Sequence, residues 1–235
     1  MFVEVLVVVV GLMLGLQLND WAKARQDRAL VNTYYQQLII DLEDDVRTGE
    51  YAEAYADPLD ESAAIVERVL ADDAVDALDD ATLIRSVVRA GYSFRPLSTR
   101  QTYDELINTG SLALIHDVEV KRAIGRYYAF MERGRQWDPL VQHEQMNYRD
   151  AIRGLLTPEQ MRWVRGNLRD VHTPPPPLDR QKLLSGVRAR EDIYGAVSAM
   201  AAVQERFRSQ GQQMAEVAQA LIDTLKAALS DGRSQ

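Results

Sequence analysis

Residues 30–46, LVNTYYQQLIIDLEDDV, contain the clearest helical repeat of the chain. Apolar side chains recur there every three or four residues, at Leu30, Val31, Tyr34, Tyr35, Leu38, Ile39 and Leu42. A stripe with this period indicates a helix that buries one face. Because no Pro or Gly lies between Gly15 and Gly49, we expect this helix to continue unbroken from the segment before it.

The preceding segment, MFVEVLVVVVGLMLGLQL (1–18), is almost wholly apolar, and its only polar side chains are Glu4 and Gln17. A helix from Phe2 to Trp21 rises roughly 30 Å, the thickness of the hydrocarbon core of a bilayer. A secretory signal peptide would have a basic start and a small-residue cleavage site, and a buried core helix would be shorter. The pattern therefore predicts a transmembrane helix over residues 1–21.

Several residues of this helix are candidates for packing within the membrane. Gly11 and Gly15 have the spacing that lets two membrane helices approach closely, although glycine is common in such helices by chance. Glu4 can pair with a neighbouring helix or simply reach the headgroup layer, and we favour the headgroup layer. Gln17 and Asn19 are either hydrogen-bonding residues between helices or interfacial residues.

The end of the predicted span has the composition of a membrane interface. Trp21 lies where an amphipathic ring prefers the headgroup layer, and Lys23 and Arg25 follow it. These positive charges, read literally, orient the following domain toward the cytoplasm.

The composition limits the classes of function. The 235 residues suffice for one span and a domain of about 200 residues, or two small domains. The formal net charge of −8 argues against nucleic-acid binding, because an acidic surface repels the phosphate backbone. The chain has no cysteine, which excludes disulfides, thiolate metal sites and cysteine nucleophiles.

The rest of the chain is predicted to be helical nearly throughout. Asp57-Pro58 is typical of a helix start, as are Ser98 with Gln101 and Thr157 with Gln160, while Gly110 is a natural helix stop. From 179 to 229 one long amphipathic helix is expected, or two joined near Gly211. Strand signals are nearly absent.

We therefore predict an all-α fold, in which a single N-terminal transmembrane helix continues into a membrane-extrinsic helical bundle. The predicted segments are the span (1–21), a helical stalk with the first bundle helix (22–56) and the remaining bundle (57–235). Pro174–Pro177 forms a spacer between two helical units of that bundle.

Two stretches resemble an uncharacterised bacterial family of single-span membrane proteins. The first is VEVLVVVVGLMLGLQLNDWAKAR (3–25), which continues to LIIDLEDDV (38–46), and the second is RQTYDELINTGSLALIHDVEVKRAIGRYY (100–128). The resemblance implies one span and a helical domain, and it implies no activity. Family members usually have a basic tail before the span, so either the start lies upstream of Met1 or this member lacks the tail.

The second stretch also contains a possible recognition patch, formed by Asp104, Glu105 and Asn108. A structural interpretation, in which the segment is a capped helix, a glycine stop and an apolar docking turn, explains the same residues and is favoured.

No catalytic, cofactor-binding or metal-binding residues are predicted. Phosphate-binding glycine loops, nucleophile elbows and dinucleotide motifs are absent from the sequence. His116, His143 and His172 have no metal-ligand spacing, and His143-Glu144 lacks the second histidine of a zinc-protease helix. The acidic groups around Asp45 and along 72–80 are more typical of a solvated face than of a cation site.

These observations favour a non-enzymatic accessory or scaffolding subunit that binds a larger respiratory, photosynthetic or transport complex in the bacterial inner membrane. The expected partners are the lipid bilayer and other membrane subunits or a second copy, with no cofactor. The alternative is a membrane-anchored sensor or signalling module. The side of the membrane is open; the resemblance favours a periplasmic domain and the charges after Trp21 favour a cytoplasmic one.

Overall fold

The computed structural model describes the backbone of residues 2–73, 75–166 and 173–232, and the side chains of these residues except 2–10, 12 and 232. Over these ranges the chain is all-α, as predicted, and contains no strand. The helices are α1 (Phe2–Leu70), α2 (Asp80–Arg89), α3 (Gln101–Asn108), α4 (Val118–Arg135), α5 (Asp138–Ala151), α6 (Pro158–Gly166), α7 (Arg180–Arg188) and α8 (Glu191–Gly232), with a 3-10 turn (Ser111–Leu114) after α3.

Two compact units form from non-contiguous segments. Unit 1 comprises Met1–Val46, Ser98–Ala129 and Val217–Gln235, and unit 2 comprises Arg47–Leu97 and Phe130–Glu216. The residues on both sides of the Pro174–Pro177 spacer belong to unit 2.

The first helix is continuous through Pro58, so the prediction of a new helix beginning at Asp57-Pro58 is wrong. A proline inside a helix removes one hydrogen bond and costs about 3 kcal/mol when nothing compensates. Here the neighbouring Ala56, Leu59 and Ala63 are buried, and this tertiary packing holds the helix together across the proline. Asp57 does not cap a helix; its carboxylate accepts a hydrogen bond from Arg208 at 3.0 Å.

The apolar stripe that defines α1 faces the interior of unit 1, as its period predicts. Tyr34, Tyr35, Leu38 and Leu42 are buried, whereas Leu30 is 40% exposed, so the buried part of the stripe begins at Tyr34. Other segments of unit 1 contribute further buried side chains, which include Leu106, Ile115, Ile124, Tyr127, Leu221 and Leu225.

The core of unit 2 is a large apolar cluster that contains a buried hydrogen bond from a tyrosine to the backbone. Val66, Val87, Tyr148 and Val197 are among its buried members. The Tyr148 hydroxyl donates to the Val87 carbonyl oxygen at 2.8 Å, which satisfies the one polar atom of this buried ring.

The predicted long C-terminal helix is interrupted at residues 189–190, between α7 and α8, and not near Gly211. Gly211 lies inside α8, where a Cβ atom would be only 2.8 Å from the Cβ of Ala52 and 2.9 Å from the Gly49 carbonyl oxygen. The two glycines therefore allow α1 and α8 to cross in close contact within unit 2.

Two predicted helix boundaries are confirmed by their hydrogen bonds. The Thr157 N–H donates to Gln160 Oε1 at 2.8 Å and the Gln160 N–H donates to the Thr157 hydroxyl at 3.2 Å, which is a complete capping box. After α3, Gly110 has a φ of +71°, the left-handed conformation that ends helices.

No helix is apolar over a membrane-spanning length within the part of the chain whose side chains are described.

Candidate functional site

The best-defined polar centre of the described residues lies in unit 1, where residues 41–45 meet the segment 99–128. We call Asp41, Asp45, Thr99, Tyr127 and Tyr128 the Asp45 cluster. Its carboxylates come from α1, its threonine from the segment that leads into α3, and its tyrosines from α4.

Asp45 is the centre of the cluster and has no exposed surface. One carboxylate oxygen accepts a hydrogen bond from the Tyr127 hydroxyl. The other accepts from the Thr99 N–H at 2.7 Å. The expectation that the acidic residues around Asp45 form a solvated face is therefore wrong at this position, because the carboxylate joins three segments of the chain.

Burial raises the pKa of Asp45 from an ordinary value of 3.8 to about 6. The hydrogen bonds from Tyr127 and Thr99 act in the opposite direction, since they favour the charged form, but desolvation is the larger effect. Burial, followed by the charge of Asp45, also raises the pKa of the Tyr127 hydroxyl, so Tyr127 remains a hydrogen-bond donor at any physiological pH.

The second carboxylate of the cluster explains how α3 begins. Asp41 accepts from the Thr102 N–H at 3.1 Å, while Asp45 accepts from the Thr99 N–H. The predicted capping box of Ser98 and Gln101 is wrong, because α3 has no side-chain cap of its own. Asp41 of α1 performs that role, and its carboxylate complements the positive N-terminal end of the α3 dipole.

A layer of aromatic rings covers this junction. Tyr103 and Tyr128 are stacked with ring centroids 3.9 Å apart. The Arg100 guanidinium lies 5.4 Å from the Tyr103 centroid and 5.8 Å from that of Tyr128. The Tyr128 hydroxyl donates to the Thr99 carbonyl at 3.3 Å. Thr99 is therefore hydrogen-bonded both to Asp45 of α1 and to Tyr128 of α4.

Two of the three residues of the possible recognition patch accept hydrogen bonds within unit 1. Asp104 accepts from Arg100 at 3.0 Å, and Glu105 accepts from the Tyr34 hydroxyl at 3.1 Å. Asn108 is exposed. The 3-10 turn that follows is anchored by the fully buried Ile115, in agreement with the predicted apolar docking turn.

The candidate membrane residues lie on the N-terminal part of α1. Glu4 is among the residues whose side chains lie outside the description. A Cβ at Gly11 or Gly15 would meet nothing within 4 Å, and Gln17 and Asn19 are exposed.

At the predicted interface, Trp21 is 57% exposed and the Arg25 guanidinium lies 5.7 Å from its ring centroid. Lys23 is exposed as well.

Other candidate groups have structural partners. In unit 2, Asp72 pairs with Arg188 at 2.5 Å and Asp80 pairs with Arg180 at 3.4 Å, while Asp79 caps α2. Among the residues with described side chains, no three His, Asp or Glu groups are arranged to hold a metal ion. His172 lies outside the described residues.

Sequence reasoning missed the Asp45 cluster because its members are far apart along the chain. Asp45 and Tyr127 are separated by 82 residues. The available signal was the acidic run 41–45 and the tyrosine pair 127–128, which nothing in the sequence connects. Asp45 has no exposed surface, and its hydrogen bonds connect α1 with α4 and with the segment that precedes α3.

Comparison with protein-family models, curated proteins and solved structures finds no match to this chain.

Proposed function

We propose that the protein is a non-enzymatic, membrane-anchored accessory subunit that binds and stabilises a larger membrane protein complex of the respiratory, photosynthetic or transport type. The observation that carries this proposal is the exposed apolar surface at the start of α1. Met13, Leu14, Leu16 and Leu18 are between 54% and 66% exposed. Contiguous apolar surface of this kind is typical of a membrane or protein contact.

The sequence around this surface supports a span. In the sequence, residues 2–10, which precede this surface, are apolar apart from Glu4. At the other end, Arg25 lies against Trp21, an arrangement suited to the boundary between lipid and water.

Gly11 and Gly15 supply the proposed docking face of the span. Their surroundings are open, so a neighbouring helix, from another subunit or from a second copy, can approach the backbone closely. Gln17 and Asn19 continue this part of α1 and can hydrogen-bond to the same neighbour.

The Asp45 cluster supports a structural role for the extrinsic part. Two carboxylates of this part have partners inside unit 1: Asp45 accepts from Tyr127 and Thr99, and Glu105 accepts from Tyr34. We therefore propose that this segment builds a stable surface for a partner.

The alternative function is a membrane-anchored sensor or signalling module. The continuity of α1 from Phe2 to Leu70 favours it, because one helix leads from the proposed span into the extrinsic part.

We place the protein in the bacterial inner membrane with its extrinsic domain in the periplasm, on the basis of the family resemblance. An alkaline phosphatase fused after Gln235 is expected to be active, because this reporter requires the periplasm. Activity of a cytoplasmic fluorescent reporter at the same position would overturn this orientation.

Purification of the full-length protein in mild detergent tests the proposed function. We expect stoichiometric membrane-protein companions, which are lost when Gly11 and Gly15 are both replaced by Leu and retained in the matched variant Leu16→Ile. A monomer without companions would overturn the accessory role. Companions that are released when a signal or ligand is added would favour the sensor.

A further inference from the structure

A cleft in unit 2 has features that the proposed function does not use. It lies between the C-terminal end of α4, the start of α5 and the middle of α8, and has a volume of about 310 Å³. Pockets that bind small molecules or cofactors have volumes of roughly 300 Å³ and above.

Two arginines make the cleft positively charged. Arg133 comes from α4 and Arg206 from α8, and both are exposed. Among the residues with described side chains, neither forms an ion pair with a carboxylate. The acidic residues beside them are already paired, since Glu132 contacts Arg135 at 3.5 Å and Glu205 contacts Arg208 at 3.0 Å.

Arg206 is held in place without loss of its hydrogen-bonding capacity. Its guanidinium carbon lies 3.7 Å from the centroid of the Trp137 ring. Stacking on an aromatic face restricts the side chain but leaves the N–H groups at the edge of the guanidinium free to donate. A planar guanidinium presented in this way matches the two oxygens of a carboxylate.

The remaining lining is suited to a peptide. Gln210 and Gln213 each have a side-chain amide, which both donates and accepts, as a peptide group does. Phe130 and Trp137 provide apolar walls that fit the stem of an acidic side chain.

Gly134 lets the Gln210 side chain lie close to α4 in this lining. A Cβ there would be 2.5 Å from Gln210 Nε2, so the absence of a side chain lets the Gln210 amide lie against α4.

We infer that this cleft binds a glutamate- or aspartate-containing peptide segment of a partner protein, seated by a carboxylate on Arg206 and Arg133. The inference rests on the proposed function and specifies the chemistry of the partner.

The test uses full-length protein in neutral detergent and a fluorescein-labelled peptide of alternating Glu and Ala, with binding followed by fluorescence anisotropy. A peptide with Gln in place of Glu is the matched control ligand. We expect the Glu peptide to bind and the Gln peptide to bind at least ~10-fold more weakly, because hydrogen bonds to charged groups are the stronger ones.

Variants connect this binding to the cleft. Arg206→Ala and Arg133→Ala should each weaken binding by ~10-fold or more, and Arg206→Lys should also weaken it, since lysine keeps the charge without the planar fork. Gly134→Ala should reduce affinity while the charges stay in place, because it displaces the flexible Gln210 side chain. Arg149→Ala, at an exposed position on α5, is the control and should leave affinity unchanged.

Circular dichroism of each variant checks that the fold is retained. Failure of the Glu peptide to bind, equal binding of both peptides, or unchanged affinity in the cleft variants would overturn the inference. Displacement of the peptide by an equal concentration of inorganic phosphate would assign the cleft to simple oxyanions and overturn it as well.

The failure of this inference is distinguishable from failure of the proposed function. If companions copurify equally with wild type and with Arg133→Ala/Arg206→Ala, the accessory role stands and the cleft is not the docking site. If no companion copurifies with wild type, the accessory role fails whatever the peptide does.

Discussion

Asp45 illustrates how a single residue can have a role that its neighbours in the sequence conceal. It lies in an acidic run, yet it is fully buried and accepts hydrogen bonds from Tyr127 and Thr99. Burial disfavours the ionised carboxylate and raises its pKa, whereas the hydrogen bonds from Tyr127 and Thr99 favour the ionised form and lower it. Because burial is the larger effect, the pKa of Asp45 is about 6. At the scale of the residue, therefore, burial gives unit 1 a carboxyl group whose pKa is well above that of an exposed aspartate.

Replacement of Tyr127 by Phe tests the hydrogen bond to Asp45. The variant removes one of the two donors and leaves the buried carboxylate less satisfied, so we expect the free energy of unfolding to fall by about 1–3 kcal/mol. Urea unfolding followed by circular dichroism, at neutral pH in neutral detergent, measures the change. Tyr194→Phe is the matched control, because Tyr194 is 64% exposed and should tolerate the loss of its hydroxyl. Equal stability of the two variants would contradict a stabilising role for the bond.

The raised pKa of Asp45 predicts the direction of a pH effect on stability. Between its ordinary value of 3.8 and about 6, the folded protein holds a proton that the unfolded chain has released. The contribution of Asp45 to the free energy of unfolding is therefore fully present below this window, falls as the pH rises through it and then levels off. We expect the stability of wild type relative to Asp45→Asn, measured by urea unfolding, to decrease between pH 4 and pH 7. A difference that grows with rising pH would mean that the pKa is lowered by folding instead.

At the scale of the element, contacts between helices decide where a helix begins and whether it is interrupted, and local sequence signals alone misassign both. The middle of α8 contains Gly211, which by itself suggests a helix break, yet the helix continues because the glycine allows a close crossing with α1 at Gly49. Likewise α3 begins without a side-chain cap of its own because Asp41 of α1 accepts the Thr102 N–H, while Asp45 accepts the Thr99 N–H of the preceding segment. Both features require a partner element.

Alanine substitutions on α8 separate helix propensity from packing. Gly211→Ala should destabilise unit 2 by up to about 2 kcal/mol. The new Cβ would overlap Ala52 and the Gly49 carbonyl, which costs about 1–3 kcal/mol, and the gain in helix propensity of about 1 kcal/mol offsets only part of that cost. Gly195→Ala, on the same helix but with nothing within 4 Å of its Cβ, should stabilise by up to about 1 kcal/mol. Thermal unfolding of the two variants measures the contrast, and a stabilising Gly211→Ala would show that the crossing is looser than described.

At the scale of the whole molecule, the charge distribution bears on how the protein would be held at a membrane. The net charge of −8 is unsuited to electrostatic adsorption on anionic lipid, so attachment would depend on the apolar start of α1. The proposed anchor, the start of α1, is apolar, whereas the proposed docking cleft is cationic because Arg133 and Arg206 line it.

Extraction of membranes distinguishes insertion from surface adsorption. A protein held by an apolar helix should remain in the membrane pellet after washing with alkaline carbonate or high salt, because neither treatment weakens burial in lipid. Val9→Arg should release it into the supernatant, since an arginine near the centre of a span costs about 2.5–3.5 kcal/mol or more. Release of the wild-type protein by the same wash would contradict the anchor.

The sequence by itself determined the all-α class, the existence of an apolar stripe on the helix that contains residues 30–42, the Thr157 capping box and the helix stop at Gly110. These features depend on residues within one or two turns of each other, and periodicity and capping act over that distance. Only the tertiary structure decided that α1 passes through Pro58, that Gly211 is a crossing point and that Asp45 is buried. The partners of Gly211 and Asp45, which are Gly49 and Tyr127, are distant along the chain, and Asp45 and Tyr127 are 82 residues apart. Their contacts, like the burial of the helix around Pro58, therefore contribute to the free energy only once the helices have packed.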